Sequence, residues 1–209
     1  MKRLKKISKW ILGTFLILVI ALIVLYFYMV HQRADLYVTK DLIGSAEKLA
    51  LESDKLPALF YELYDLNFPN GTTNSPNQQV LKVLLGNEKE GCTCRYLARL
   101  YFASGANNSH DNWLGHGLNN IAVGNYLFKK YGGKVCLDMY VNRFDYVNGQ
   151  IGVRNAANFY FNKSLNELGL FEIGTLIVMT KNPSFYNPIR RPDIVKEETN
   201  KLMKKYKKD

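Results

Sequence analysis

Apolar residues run unbroken by charge from Trp10 to Val30, and beyond that point the chain changes to short alternations of apolar and polar positions. Residues 41–50 repeat apolar positions at helical spacing and predict a helical connector over 31–55. A new element starts at Leu56-Pro57 and keeps its apolar face through Leu66. Residues 67–77 are crowded with Asn, Pro, Gly, Ser and Thr and read as a loop. Helical spacing returns over 78–85 and over 95–102. A second polar loop is predicted over 104–112. The next helix spans 113–131 and stops at Gly132-Gly133, and a short one follows over 135–141. Residues 171–179 are mostly apolar and predict a buried helix, and a polar terminal helix is expected over 195–208. Asn148, Gly149 and Gly152 suit a turn with positive φ. The prolines of the 186–192 segment predict an extended strap, since each pushes its predecessor out of the helical region. No repeat and no strand-rich block appears, so the fold class is mainly α, in several short helices.

The 10–30 run is long enough to cross a bilayer as a helix. Lys2, Arg3, Lys5, Lys6 and Lys9 precede it, with no acidic residue among the first nine. That flank places the amino terminus in the cytoplasm and the rest of the chain outside. A cleaved leader would have a shorter apolar core and a small-residue cleavage site. Here the run ends in Tyr26, Phe27 and Tyr28, which suit an interfacial belt, so an uncleaved anchor is expected. The expected division is a basic flank over 1–9, the anchor over 10–30, the connector over 31–55 and a domain over 56–209.

The formal net charge is +10, and five of the basic residues sit in that flank. Much of the remainder lies in the tail, at Lys196, Lys201, Lys204, Lys205, Lys207 and Lys208. A solvated helix face explains them; attraction to anionic lipid headgroups is the sharper alternative. Nucleic acid is not expected as a partner, because the surface lies outside the cytoplasm and lacks a basic-aromatic stacking motif. Cys92, Cys94 and Cys136 are the three cysteines, and their spacing makes no zinc site. A disulfide from Cys92 or Cys94 to Cys136 would suit an oxidising compartment. Three small buried apolar residues is the reading preferred over a bridge.

Two blocks carry a family resemblance. Residues 142–164 read Asn-Arg-Phe-Asp-Tyr-Val-Asn-Gly-Gln-Ile-Gly-Val-Arg-Asn-Ala-Ala-Asn-Phe-Tyr-Phe-Asn-Lys-Ser, and residues 182–192 read Asn-Pro-Ser-Phe-Tyr-Asn-Pro-Ile-Arg-Arg-Pro. They resemble the "YGVxAAAxxYFGKS" and "YNPxRNP" segments of family 51 glycosyltransferases, the lysozyme-like domains that polymerise peptidoglycan. The resemblance implies a lysozyme-like transglycosylase domain behind one transmembrane helix. It also implies glycosyl transfer from a lipid-linked disaccharide-peptide, helped by a divalent cation such as magnesium or manganese.

The remaining motifs depart from that pattern. Cys136-Leu-Asp-Met-Tyr-Val-Asn142 is similar to "ILExYLN", with Tyr140 and Asn142 matching and Asp138 in place of glutamate. The family's preceding lysine falls on Gly133, with Lys134 beside it. In the segment similar to "GGSTITQQLAK", only Leu97-Ala98-Arg99 matches, and Cys94, Arg95 and Tyr96 replace the hydroxyl and amide side chains. Counting back from Asn142 sets the "RKxxE" motif on 116–120, so that Asn120 replaces a catalytic glutamate and His116 opens the basic pair. In the segment similar to "EDxxFxxHxG", Asp65 and Phe68 match and Tyr64 replaces the other catalytic glutamate. Glu62 would serve only by a two-residue slip that turns it to another helix face.

Three readings follow from the resemblance. The first is a degenerate domain that binds glycan, lipid-linked precursor or cell-wall synthesis proteins without catalysis. The second is an active transferase using a relocated carboxylate, Asp65 or Asp138. The third is a structural membrane protein. Arg95, His116, Asn120, Lys134, Tyr140 and Asn142 are the candidate substrate-binding residues, with no protein-held metal site among the candidates.

Overall fold

The computed structural model describes residues 2–87, 89–103 and 113–208, so the expected 104–112 loop lies outside the described residues. Helix α1 runs without a break over Lys2–Tyr37. Thr14, the one Ser or Thr in the apolar run, donates its hydroxyl to the carbonyls of Trp10 and Ile11, which satisfies it within the helix. Thr39 caps α2 (Lys40–Glu52) by accepting from Leu42 N–H. Helix α3 (Ala58–Asn67) follows Pro57 and buries Phe60, Leu63 and Tyr64. Ser75 and Gln78 form a reciprocal cap on α4 (Pro76–Leu84), with proline in its first turn. Helix α5 spans Thr93–Ala103.

Helix α6 (Trp113–Arg143) is two helices joined at Gly132, whose φ of 77° and ψ of 166° break the helical path. The stop at Gly132-Gly133 is therefore real, and Gly133 has a further reason. A Cβ there would stand 1.9 Å from the carbonyl oxygen of Thr72. The two backbones meet so closely that no side chain fits between them.

Helix α7 (Val153–Phe161) was not expected from the pattern. Gly152, at φ 88°, turns the chain into it, and Asn162 in the left-handed region ends it. A short 3₁₀ turn, Leu165–Glu167, leads to α8 (Leu170–Met179), in which every residue from Ile173 to Met179 is buried. Helix α9 (Pro192–Tyr206) lays Val195, Thr199, Leu202 and Met203 onto α8 and turns its lysines outward. Among the described residues no strand forms; Asp145 and Ile151 make one isolated bridge. The fold class is mainly α, as the pattern predicts.

Buried α8 is the hub, against which α3, α7 and α9 pack, while α5 lies along α6. A second, small apolar cluster joins Val30 of α1 to Leu118, Ile121 and Ala122 of α6, with Tyr26, Met29 and Val80 at its edge. The apolar amino-terminal helix thus docks on the domain through its carboxyl-terminal part.

Two expectations need correction. Cys94 and Cys136 form a disulfide that ties α5 to the second half of α6, and buried Cys92 stays free. The preference for three unbridged cysteines fails because α5 and α6 bring those two Cα atoms to 5.0 Å, within bridging range. Residues 186–190 curl in turns rather than forming an extended strap, and Pro192 already opens α9. The buried Asn187 carboxamide oxygen accepts from the N–H groups of Ile189 and Arg190, which curls the chain back.

Candidate functional site

Where α3 ends, its last turns carry Tyr64 inward and Phe68 just past the helix. Helix α5 presents Tyr96, Arg99 and Leu100 on one side, the i, i+3, i+4 spacing of a single face. The second half of α6 adds Tyr140, and the residues after α8 add Thr180 and Lys181. Together these eight side chains line a cleft of about 350 Å³. Its wall is a run of rings in sequence: Tyr64 to Phe68 at 4.8 Å, Phe68 to Tyr96 at 6.1 Å, Tyr96 to Tyr140 at 6.1 Å and Tyr140 to Phe144 at 5.3 Å. These separations are those of interacting aromatic pairs.

The charge in the cleft is positive. The Arg99 guanidinium lies 5.6 Å from the centre of the Tyr96 ring. Lys181 is held by Glu198 at 2.8 Å, which draws the Glu198 carboxyl below its usual range. Among the described residues no carboxylate lines the cleft. Tyr64 stands where the resemblance puts a catalytic glutamate. It is fully buried, and its hydroxyl finds no hydrogen-bond partner among the described residues. Burial, then the neighbouring Tyr140, Tyr96 and Tyr146 and Asp65, push its pKa well above the usual tyrosine range. It is a neutral phenol at physiological pH, unsuited to take a proton.

The two candidate carboxylates are committed elsewhere. Asp65 lies on α3 next to Tyr64, but its oxygens accept the N–H of Thr72, at 2.8 Å, and the Thr72 hydroxyl. It fixes the loop after α3 and borders a separate, shallow hollow of about 710 Å³ with Glu62, Asn70 and Tyr206. Asp138 accepts the Tyr61 hydroxyl at 2.6 Å and the Leu56 N–H at 3.3 Å, tying the start of α3 to α6. Burial raises the Asp138 pKa against the pull of those hydrogen bonds.

Of the candidate binding residues, Tyr140 alone lines the cleft. Arg95 is turned to the other side of α5, where its Nη1 donates to Gln79 Oε1 at 3.1 Å, and burial lowers its pKa. His116 is exposed on the first half of α6. Asn120 has a buried carboxamide oxygen with no partner among the described residues and does not line the cleft. Lys134 is exposed, with its ammonium 5.5 Å from the centre of the Tyr61 ring. Asn142 donates back to the Asp138 carbonyl at 2.8 Å and to the Asp54 carbonyl at 3.3 Å, which is an architectural role. Sequence reasoning missed Arg99 and Lys181 as cleft cations. The helical spacing of Tyr96 and Arg99 was the available signal for the first; Lys181 comes in from beyond a buried helix and gave none.

The described residues contain no cluster of three or more His, Cys, Asp or Glu side chains that could hold a metal ion. With no carboxylate in the cleft among them either, the described residues do not fit a divalent cation held by the protein.

Comparison with known proteins follows the same lines. A model of the family described as "Transglycosylase" matches residues 78–207. Penicillin-binding protein 4 of Bacillus subtilis (strain 168) is 33% identical over 96 residues, 46% of this chain and 15% of that protein. Penicillin-binding protein 1F of the same organism is 28% identical over 123 residues, 58% of this chain and 16% of the relative. Penicillin-binding protein 2a of Streptococcus pneumoniae serotype 2 is 39% identical over 75 residues, 36% of this chain and 10% of the relative. The matched segments therefore span a sixth or less of these relatives.

Proposed function

Because the chain belongs to the transglycosylase family, we propose that it is a membrane-anchored, peptidoglycan glycosyltransferase-like protein that binds glycan or lipid-linked precursor without polymerising it. One observation carries this reading: the cleft at Tyr64 is walled by aromatic rings and cations and has no carboxylate among the described residues. Sugar rings stack on aromatic faces, and Arg99 and Lys181 suit the negative charge of a lipid pyrophosphate. The missing element is the base that would take the proton of the attacking hydroxyl, a loss of about 10²–10⁴-fold. The basic flank before the apolar helix supports an amino terminus in the cytoplasm and a domain outside. Cell-wall synthesis proteins are the proposed protein partners.

The test uses the full chain in detergent with lipid-linked disaccharide-peptide and magnesium or manganese. The expected result is saturable binding, weakened by Arg99→Ala, with no glycan chains formed. Glycan chains made by the unmodified protein and lost in Asp65→Asn or Asp138→Asn would overturn this reading in favour of a relocated carboxylate. Absence of both binding and polymerisation would favour a structural membrane protein.

A further inference from the structure

A second pocket, of about 530 Å³, shares no residue with the aromatic cleft. Three stretches of chain enclose it: Asp54 and Lys55 between α2 and α3, one side of α7, and residues 163–166. The pattern of α7 dictates its part. Val153, Ala156 and Ala157 go into the core, so Arg154 and Asn158, four apart, are left to line the pocket. Each wall is fixed from behind. Asn142 donates to the Asp54 carbonyl at 3.3 Å, Lys163 pairs with Glu172 at 2.8 Å, and Ser164 and Glu167 cap each other across the 3₁₀ turn. The volume is that of a small-ligand site, and its walls are held in place before any ligand arrives.

The lining chemistry selects a ligand. Lys55, Arg154 and Lys163 are its cations and Asp54 its carboxylate. Lys163 is engaged by Glu172, and Arg154 by Asp54 at 2.5 Å. The Arg154 and Asp54 side chains are 65% and 45% exposed, so their pair is weak and a ligand carboxylate can exchange for Asp54 at little cost. Lys55 forms no hydrogen bond or ion pair among the described residues. Asp138 feels Lys55 through space, but it accepts from Tyr61 and Leu56 and does not line the pocket. The pocket therefore has one cation to spare. Asn158 and Asn166 add carboxamides that each offer a donor and an acceptor, the complement of a peptide group. Among the described residues no aromatic ring lines it, so a sugar face has nothing to stack on, and Leu165 is the single apolar side chain, too little for an acyl chain. We propose that this pocket binds a short peptide by its terminal carboxylate, with Lys55 and Arg154 on the carboxylate and Asn158 and Asn166 on the peptide bonds behind it. The proposal does not depend on what the aromatic cleft binds.

The test titrates the full chain in detergent with acetyl-trialanine, followed by saturation-transfer NMR. The free acid should bind saturably, and the same peptide ending in a carboxamide about tenfold more weakly, the loss expected for hydrogen bonds to a charged group. Lys55→Gln and Arg154→Gln should each weaken the acid by a similar factor. Both residues are exposed, so neither change removes core packing, and thermal unfolding checks that each variant folds. Asp54→Asn frees Arg154 and should tighten binding about two- to fivefold. Asp193→Asn, the same change of charge at an exposed position of α9, should leave the affinity as it is. Arg99→Ala should also leave it unchanged. No saturable binding of the acid, or equal binding of the amide, would overturn the proposal. So would displacement by inorganic phosphate or N-acetylglucosamine as readily as by unlabelled peptide, which would make the pocket a general anion or sugar site. Loss of binding in Arg99→Ala would overturn it as well, by moving the peptide to the aromatic cleft.

Discussion

Breaking the Cys94–Cys136 disulfide should cost a large part of the domain's stability. The two cysteines are 42 positions apart. Closing a loop of that length lowers the entropy of the unfolded chain by about 13 cal/mol/K, or about 4 kcal/mol at 25 °C. For a chain of this size each kcal/mol moves the melting temperature by about 2–4 °C, so the loss should be about 8–16 °C. The perturbation is Cys94→Ala together with Cys136→Ala, since both side chains are buried and alanine adds no polar group. Replacing only one would leave Cys92 free to form a different bridge. The assay is thermal unfolding in detergent followed by far-UV circular dichroism, beside alkylation of the denatured wild type. Without reductant one cysteine should be alkylated, Cys92, whose thiol burial pushes up to about 11 and keeps inert until the chain unfolds. With reductant all three should react. An unchanged melting temperature in the double variant, or three alkylated cysteines without reductant, would refute the reasoning.

Three further outcomes are expected. Tyr64→Phe should be neutral or stabilising by up to about 1 kcal/mol, because it removes a buried hydroxyl with no partner among the described residues, whereas Tyr64→Glu should lower the melting temperature sharply by placing a carboxyl among rings; both are read by thermal unfolding. Asp138→Asn keeps the oxygen that accepts from Tyr61 and Leu56. Burial raises the Asp138 pKa, so the folded state holds that proton more tightly than the unfolded one, and wild-type stability falls as pH rises from the unfolded value of about 3.8 through the raised folded one. The variant should therefore match wild type in acid and gain on it toward neutral pH, in urea titrations across that range. Gly133→Ala should cost more than about 4 kcal/mol, because its Cβ would strike the Thr72 carbonyl, while Gly132→Ala, with open space and only a positive φ to strain, should cost about 1–3 kcal/mol by the same titration.

The mainly α fold was legible because its signals are local. The apolar run of α1, the stop at Gly132-Gly133 and the buried stretch of α8 each show in a window of some ten residues. Helix α7 was not seen, because Gly149 and Gly152 drew attention to the turn before it and its buried Val153, Ala156 and Ala157 make only a narrow apolar stripe. The turns at 186–190 were read as extended because proline is a stronger local signal than an asparagine that bonds its own backbone. The cleft was the least legible part. It collects side chains from α3, α5, α6 and the residues after α8, and no single window contains them. Spacing against the family motifs reached Tyr64 and Tyr140. It could not show that Asp65 and Asp138, themselves at motif positions, spend their oxygens on Thr72, Tyr61 and Leu56.

The packing around Tyr64 also bears on why catalysis would be hard to restore under the proposed reading. A carboxylate that serves as a general base must be ionised near neutral pH, which needs hydration, a fixed cation or hydrogen-bond donors. The Tyr64 position offers Phe68, Tyr96, Tyr140 and Tyr146 as neighbours, and Arg99 reaches only the rim of that group, over Tyr96. A glutamate there would be protonated, and a protonated glutamate takes no proton from a sugar hydroxyl. Tyr96 contributes as much to this environment as Tyr64, since it joins the ring of α3 to that of α6 and carries Arg99 above it. Restoring one acidic residue therefore leaves the medium unchanged. A continuous aromatic wall favours tight packing and the binding of a sugar face, and it disfavours the separated charge on which glycosyl transfer depends. Recovery of activity would require opening that wall at Tyr96 as well as replacing Tyr64.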